Sequence, residues 1–140
     1  MNKSEFMWVV AGTVFGLDRL TKLWVVATDL PYVLHHASEL RTYLMITVLL
    51  FSTWMFMAAL RAPRNVLISY FSLSFALSLG AVASHTVEVL AIGSVVDFIQ
   101  INIASWVIIH TNIADLAIYA AIAVCIISCY VALKEHKQYA

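Results

Sequence analysis

The chain has 140 residues, of which 63% are hydrophobic and only 11% charged. That polar fraction is too small for a soluble domain of this length and indicates an integral membrane protein. Basic and acidic side chains balance at eight each, so no nucleic-acid partner is implied.

A bilayer core needs about 20 apolar residues per helix. Four stretches qualify, at 6–28, 42–60, 66–92 and 112–133. The first is interrupted by Asp18, Arg19 and Lys22 and resumes as LWVVA, without a small-residue cleavage site. It is therefore expected to stay as a helix rather than leave as a signal peptide. Asp18 and Lys22 stand at i and i+4, where they share a helix face and can pair, or snorkel together to the interface.

The second stretch ends at RAPRN, where Pro63 stops a helix. In the third, Ser74, Ser78, Ala81, His85 and Glu88 step by four, three, four and three. They form one small-and-polar face, which calls for a neighbouring helix. His85 can bond Glu88, a substrate or a nearby acid, or simply be a core histidine. The fourth stretch holds Cys125 and Cys129, four apart on one helix face. They cannot make a normal intrahelical bridge and read as reduced packing residues. Nothing marks a second domain, so 1–140 reads as a single membrane domain.

Orientation follows lysine and arginine. Lys3, Arg61, Arg64, Lys134 and Lys137 fall on one side of a four-span layout, and Arg41 alone lies on the other. Both termini are expected in the cytoplasm, with the two long connectors, 29–41 and 93–111, outside.

The second connector alternates Ile99, Ile101 and Ile103 with Gln100 and Asn102, a strand period. A turn at Ala104–Ser105 and a return through Trp106 and Ile109 make a small β-like hairpin at the outer face, with Trp106 at the interface. Asn112 then caps the last helix. The hairpin brings Asp97 near Thr111 or Asn112, with Asp115 about one helical turn further on.

Two carboxylates in an apolar setting do not both ionise easily and come to share a proton. Such a pair can split a peptide bond, one member activating water and the other protonating the carbonyl oxygen. Intramembrane acids in a chain with so few charges read as functional.

GSVVDFI and TNIADLAI resemble the two aspartate motifs of the lipoprotein signal peptidases (signal peptidase II). DRLTK resembles the family's first-helix motif. The resemblance implies a four-helix membrane aspartic endopeptidase, with Asp97 and Asp115 catalytic and Asn112 in support. It also implies that Asp18 and Lys22 hold the outer end of the bundle. The implied substrate is the lipidated signal peptide of a prolipoprotein, cut just before its diacylglyceryl cysteine at the outer face of the bacterial inner membrane. Membrane lipid is the other partner, and a monomer is expected.

The sequence departs from the family pattern at SHTVEV, where His85, Glu88 and Val89 replace asparagine, aspartate and arginine. The asparagine-glycine stretch expected near HHASEL is missing, and Leu116 replaces a small hydroxyl residue. By resemblance these positions hold the substrate backbone, so His85 and Glu88 become candidate support residues. The departures favour an alternative, a noncatalytic binder of signal peptides. A proton-coupled carrier using Asp97, Asp115 and Asp18 is a further alternative, but these acids cluster at one end. His35, His36, Glu39, His85, Glu88 and His110 share the outer side without a recognised ligand spacing. Neither a metal nor an organic cofactor is expected.

Overall fold

The computed structural model describes residues 3–36, 39–61, 65–104 and 107–138. Among the described residues four helices dominate: α1 (Lys3–Ala27), α2 (Glu39–Arg61), α3 (Asn65–Ile92) and α4 (Ile113–Gln138). Four short strands fill the connectors: β1 (Val33–His36), β2 (Ser94–Asp97), β3 (Ile99–Ala104) and β4 (Val107–Thr111). Among the described residues, Ser69–Ile92 and Ile113–Lys134 are long and apolar enough to cross a membrane, whereas the apolar part of α2, Thr42–Trp54, is shorter. Asp18, Arg19 and Lys22 interrupt the apolar run of α1 but not its helix.

The side chains are distributed the opposite way from those of a water-soluble bundle. Leu90, Trp8, Leu20, Ile126 and Leu133 point outward, while Asp18, Lys22, Ser78, Ser84, His85 and Glu88 are buried. Lipid accepts apolar side chains, and polar groups withdraw to where they can pair.

The small-and-polar face read from the sequence is the inner face of α3, which packs against all three other helices. Ser74 Oγ donates to the Ala121 carbonyl on α4 at 2.8 Å, and Ser78 Oγ lies 3.0 Å from Ser52 Oγ on α2. Gly80 lets α1 approach closely: a Cβ there would run into the Ala11 carbonyl and stand 2.9 Å from Val14 Cβ.

Helix ends aim the connectors. At the end of α1, Leu30 N–H bonds the Val25 carbonyl and Asp29 N–H the Val26 carbonyl, with Asp29 at φ 51°. This left-handed cap turns the chain into β1. Gly93, at φ 67°, does the same after α3, where a side chain would be strained. Its N–H donates to the Val89 carbonyl at 2.9 Å.

The expected hairpin is present as β3 against β4, from Ile99↔Thr111 to Ala104↔Val107, with an irregularity between Asn102 and Ala104. Its tip, Ser105 and Trp106, lies outside the described residues, as does the expected stop at Pro63. The sequence reading assigned no strand to the first connector. There β1 pairs antiparallel with β2, from Val33↔Asp97 to His36↔Ser94. Both long connectors therefore meet at Asp97.

Candidate active site

Asp97 closes β2, and its side chain is only 3% exposed. Asp115 lies in the first turn of α4 with 15% of its side chain exposed. Both line one cavity of about 350 Å³, together with His35, His110, Leu44, Met45, Val48, Ile118, Tyr119 and Ile122. The hairpin explains the meeting: Ile99 opposite Thr111 returns the chain to the start of α4, and Phe98 N–H donates to the Thr111 carbonyl.

Asn112 links the two acids. Its side-chain amide donates to Asp97 Oδ1 and reaches the Val96 carbonyl at 3.4 Å. Its side-chain oxygen accepts the Asp115 backbone N–H at 2.9 Å. The last bond is an N-cap, as the sequence indicated, and Asn112 is fully buried.

His85 and Glu88 do different work. His85 Nε2 is hydrogen-bonded to Asp115 Oδ1 at 3.0 Å. Glu88 turns instead to Lys22, whose Nζ lies 2.6 Å from Oε2. Glu88 Oε1 accepts the Val96 N–H at 3.2 Å, next to Asp97 in the chain. Lys22 also pairs with Asp18 Oδ2 at 2.8 Å, so the i,i+4 pair forms inside the bundle rather than at its surface. Asp18 in turn accepts Ser84 Oγ at 2.6 Å and the Ala114 N–H at 2.9 Å. Arg19 stands 3.8 Å from Glu88 Oε1 at the edge of the network.

Thus α1, α3, β2 and the start of α4 are tied together directly behind the two cavity carboxylates. Paired charges with further hydrogen bonds are the form in which buried ions are tolerated. Asp97, Asp115, Asn112 and His85 form one group; Asp18, Lys22 and Glu88 form the frame next to it.

Four contacts at the site escaped the sequence reading. Thr111 Oγ1 donates to Asp115 Oδ2 at 3.3 Å, and the i,i+4 spacing was visible. Ser84 sits four residues before Glu88 on α3, but its bond to Asp18 is long-range. His35 Nε2 lies 3.9 Å from Asp97 Oδ2, and the His35 and His110 rings are 6.4 Å apart. Those two histidines entered the reading only as possible metal ligands; in the structure both line the cavity.

Helices with apolar outsides, ion pairs within and an acid-lined cavity at one end define a membrane protein with a polar internal site. The chain belongs to the signal peptidase II family: the profile of that family, Peptidase_A8, Signal peptidase (SPase) II, matches residues 10–131. Two solved structures, each described as a bacterial membrane enzyme determined by the in meso method, share the fold. One, at 2.3 Å resolution, is 20% identical with a TM-score of 0.59, covering 96% of this chain and 91% of its own. The other, at 1.9 Å, is 22% identical with a TM-score of 0.62, covering 89% and 92%. No curated protein matches the chain.

Proposed function

We propose that this chain is an aspartic endopeptidase that removes signal peptides from diacylglyceryl-modified prolipoproteins, with Asp97 and Asp115 as its catalytic pair. Family membership supports the lipoprotein-processing role. The observation that carries the dyad is that both carboxylates line one cavity.

One carboxylate is ionised and the other protonated. The ionised member takes a proton from a water held between them, and the resulting hydroxide attacks the peptide carbonyl. The protonated member gives its proton to the carbonyl oxygen. As the tetrahedral species collapses, that proton returns and the proton taken from water passes to the leaving amine. Two carboxylates supply every proton transfer, so the reaction needs no metal or organic cofactor.

A second cavity of about 300 Å³, lined by Phe51, Ala121, Cys125, Ile126 and Cys129 among others, is almost wholly apolar. Val48 and Ile122 border both cavities. This supports a path between α2 and α4 along which a signal helix or acyl chains reach the acids from the bilayer. Four spans, both ends cytoplasmic, set the acids at the outer face of the inner membrane, and one monomeric domain suffices.

The test uses purified protein and a diacylglyceryl-modified precursor. Asp97→Asn and Asp115→Asn should each slow cleavage by about 10²- to 10⁴-fold, with thermal midpoints near that of the wild type. Full cleavage by either variant refutes the dyad. A wild type that binds the precursor without cutting it is a noncatalytic relative, the reading that the replaced SHTVEV stretch favours.

A further inference from the structure

We propose that His85 decides which carboxylate is ionised: its Nε2–H holds Asp115 as the anion that activates water, and Asp97 carries the proton. The inference rests on the dyad reading above. His85 is fully buried on α3 and is not among the cavity-lining residues. Among the described residues it reaches the reaction through Asp115, which makes it a positioning residue.

The argument begins with the other ring nitrogen. His85 Nδ1 is buried with no hydrogen-bond partner among the described residues. An imidazolium ring carries N–H groups at both positions, and the Nδ1–H tautomer carries one at Nδ1. Either would leave a buried donor unpaired, a costly arrangement. The neutral Nε2–H tautomer leaves only a ring acceptor unpaired there, which is the more commonly tolerated case. In that form Nε2 can only donate, and Asp115 Oδ1, 3.0 Å away, accepts.

Asp115 has further reasons to be the anion. Thr111 Oγ1 donates to its second oxygen at 3.3 Å. It also sits in the first turn of α4, where the helix dipole favours negative charge. The neighbouring ions do not compete for the His85 ring: Lys22 is committed to Asp18 and Glu88, and Glu88 also receives the Val96 N–H. Asp97 Oδ1 accepts from the Asn112 amide, and Asp97 Oδ2 lies 3.9 Å from His35 Nε2.

Two measurements decide the matter. In nitrogen-15 NMR of histidine-labelled wild type in micelles, the His85 signals are assigned by their loss in His85→Gln. They should show Nε2 protonated and Nδ1 bare, with a clear shift in Asp115→Asn and little in Asp97→Asn. In the cleavage assay, His85→Phe should lower kcat by about 10- to 100-fold, as expected for one lost hydrogen bond to a charged group, with KM nearly unchanged. His85→Gln, whose Nε2 reaches about as far, should recover most of that loss; His85→Asn, one bond shorter, should not. A protonated Nδ1, or a folded Gln variant no better than Phe, overturns the assignment in an otherwise active enzyme. A wild type that cuts no precursor overturns the dyad reading, and this assignment with it.

Discussion

Lys22 Nζ stands 2.6 Å from Glu88 Oε2, with both side chains 3% exposed. One buried ammonium thereby serves two carboxylates, since Asp18 Oδ2 is 2.8 Å away on its other side. Removing the cation leaves Asp18 with its hydrogen bonds alone, and Glu88 with only Arg19, 3.8 Å away at the edge of the network. Lys22→Met should therefore destabilise the fold by about 3–5 kcal/mol, seen as a large fall in thermal midpoint in detergent. Glu88→Gln should do less harm, because its amide oxygen can still accept the Val96 N–H and Lys22 keeps Asp18. Equal midpoints for Lys22→Met and wild type would mean that the network does not hold the bundle.

Asn112 joins a helix cap to the cavity acids, and the two jobs can be separated. Asn112→Ala should lose about 1 kcal/mol of cap stability and, with the bond to Asp97 gone, about 10- to 100-fold in cleavage rate. A serine restores a cap acceptor but cannot reproduce the amide bond to Asp97. Asn112→Ser should therefore melt above Asn112→Ala and cleave no faster than it. Recovery of both properties together would show that Asn112 acts on the reaction only through the helix start.

These relationships were legible in the sequence to different depths. The hairpin was readable because Ile99, Ile101 and Ile103 alternate with polar residues, and that period sets a register. The buried face of α3 was readable because small and polar residues kept helical spacing. The β1–β2 pairing was not: VLHH has no alternation, and its partner lies about 60 positions away in a stretch that the hairpin reading left unpaired. The partners of His85 and Glu88 were open for a related reason. Both project inward from one helix, and which acid or base each meets depends on how α1 and α4 pack against it. Spacing within α3 cannot contain that information.

Packing of α1 against α3 makes the four glycines unequal. A methyl group at Gly80 would collide with the Ala11 carbonyl and crowd Val14. Gly80→Ala should destabilise by about 1–3 kcal/mol through overpacking and shift Lys22 away from Glu88. Gly12 and Gly16, both within α1, have nothing within 4 Å of an added Cβ. Alanine there should be neutral or stabilise by about 0.5–1 kcal/mol, since glycine is a poor helix former. Melting curves of the three single variants test the ranking, and a Gly80→Ala protein as stable as Gly12→Ala would contradict the close helix contact.

Ile122 offers a way to separate entry of the substrate from the chemistry. It lies on α4 and borders both the acid-lined cavity and the apolar one between α2 and α4. The side chain is 42% exposed, so enlarging it fills the shared boundary without rebuilding the core. Asp97, Asp115 and Asn112 keep their hydrogen bonds, because none of those bonds involves Ile122. If the lipidated precursor reaches the acids along this groove, Ile122→Trp should lower kcat/KM by about tenfold or more, in line with the sensitivity of apolar pockets to added volume. The thermal midpoint should move little, because the new ring faces a cavity rather than packed side chains. Ile126, which lines only the apolar cavity, supplies the graded control. Ile126→Trp should hinder long acyl chains more than short ones, whereas Ile122→Trp hinders both. Unaltered kinetics in both variants, with chains of any length, would mean that substrate arrives by another route, across the β-strands from the aqueous side.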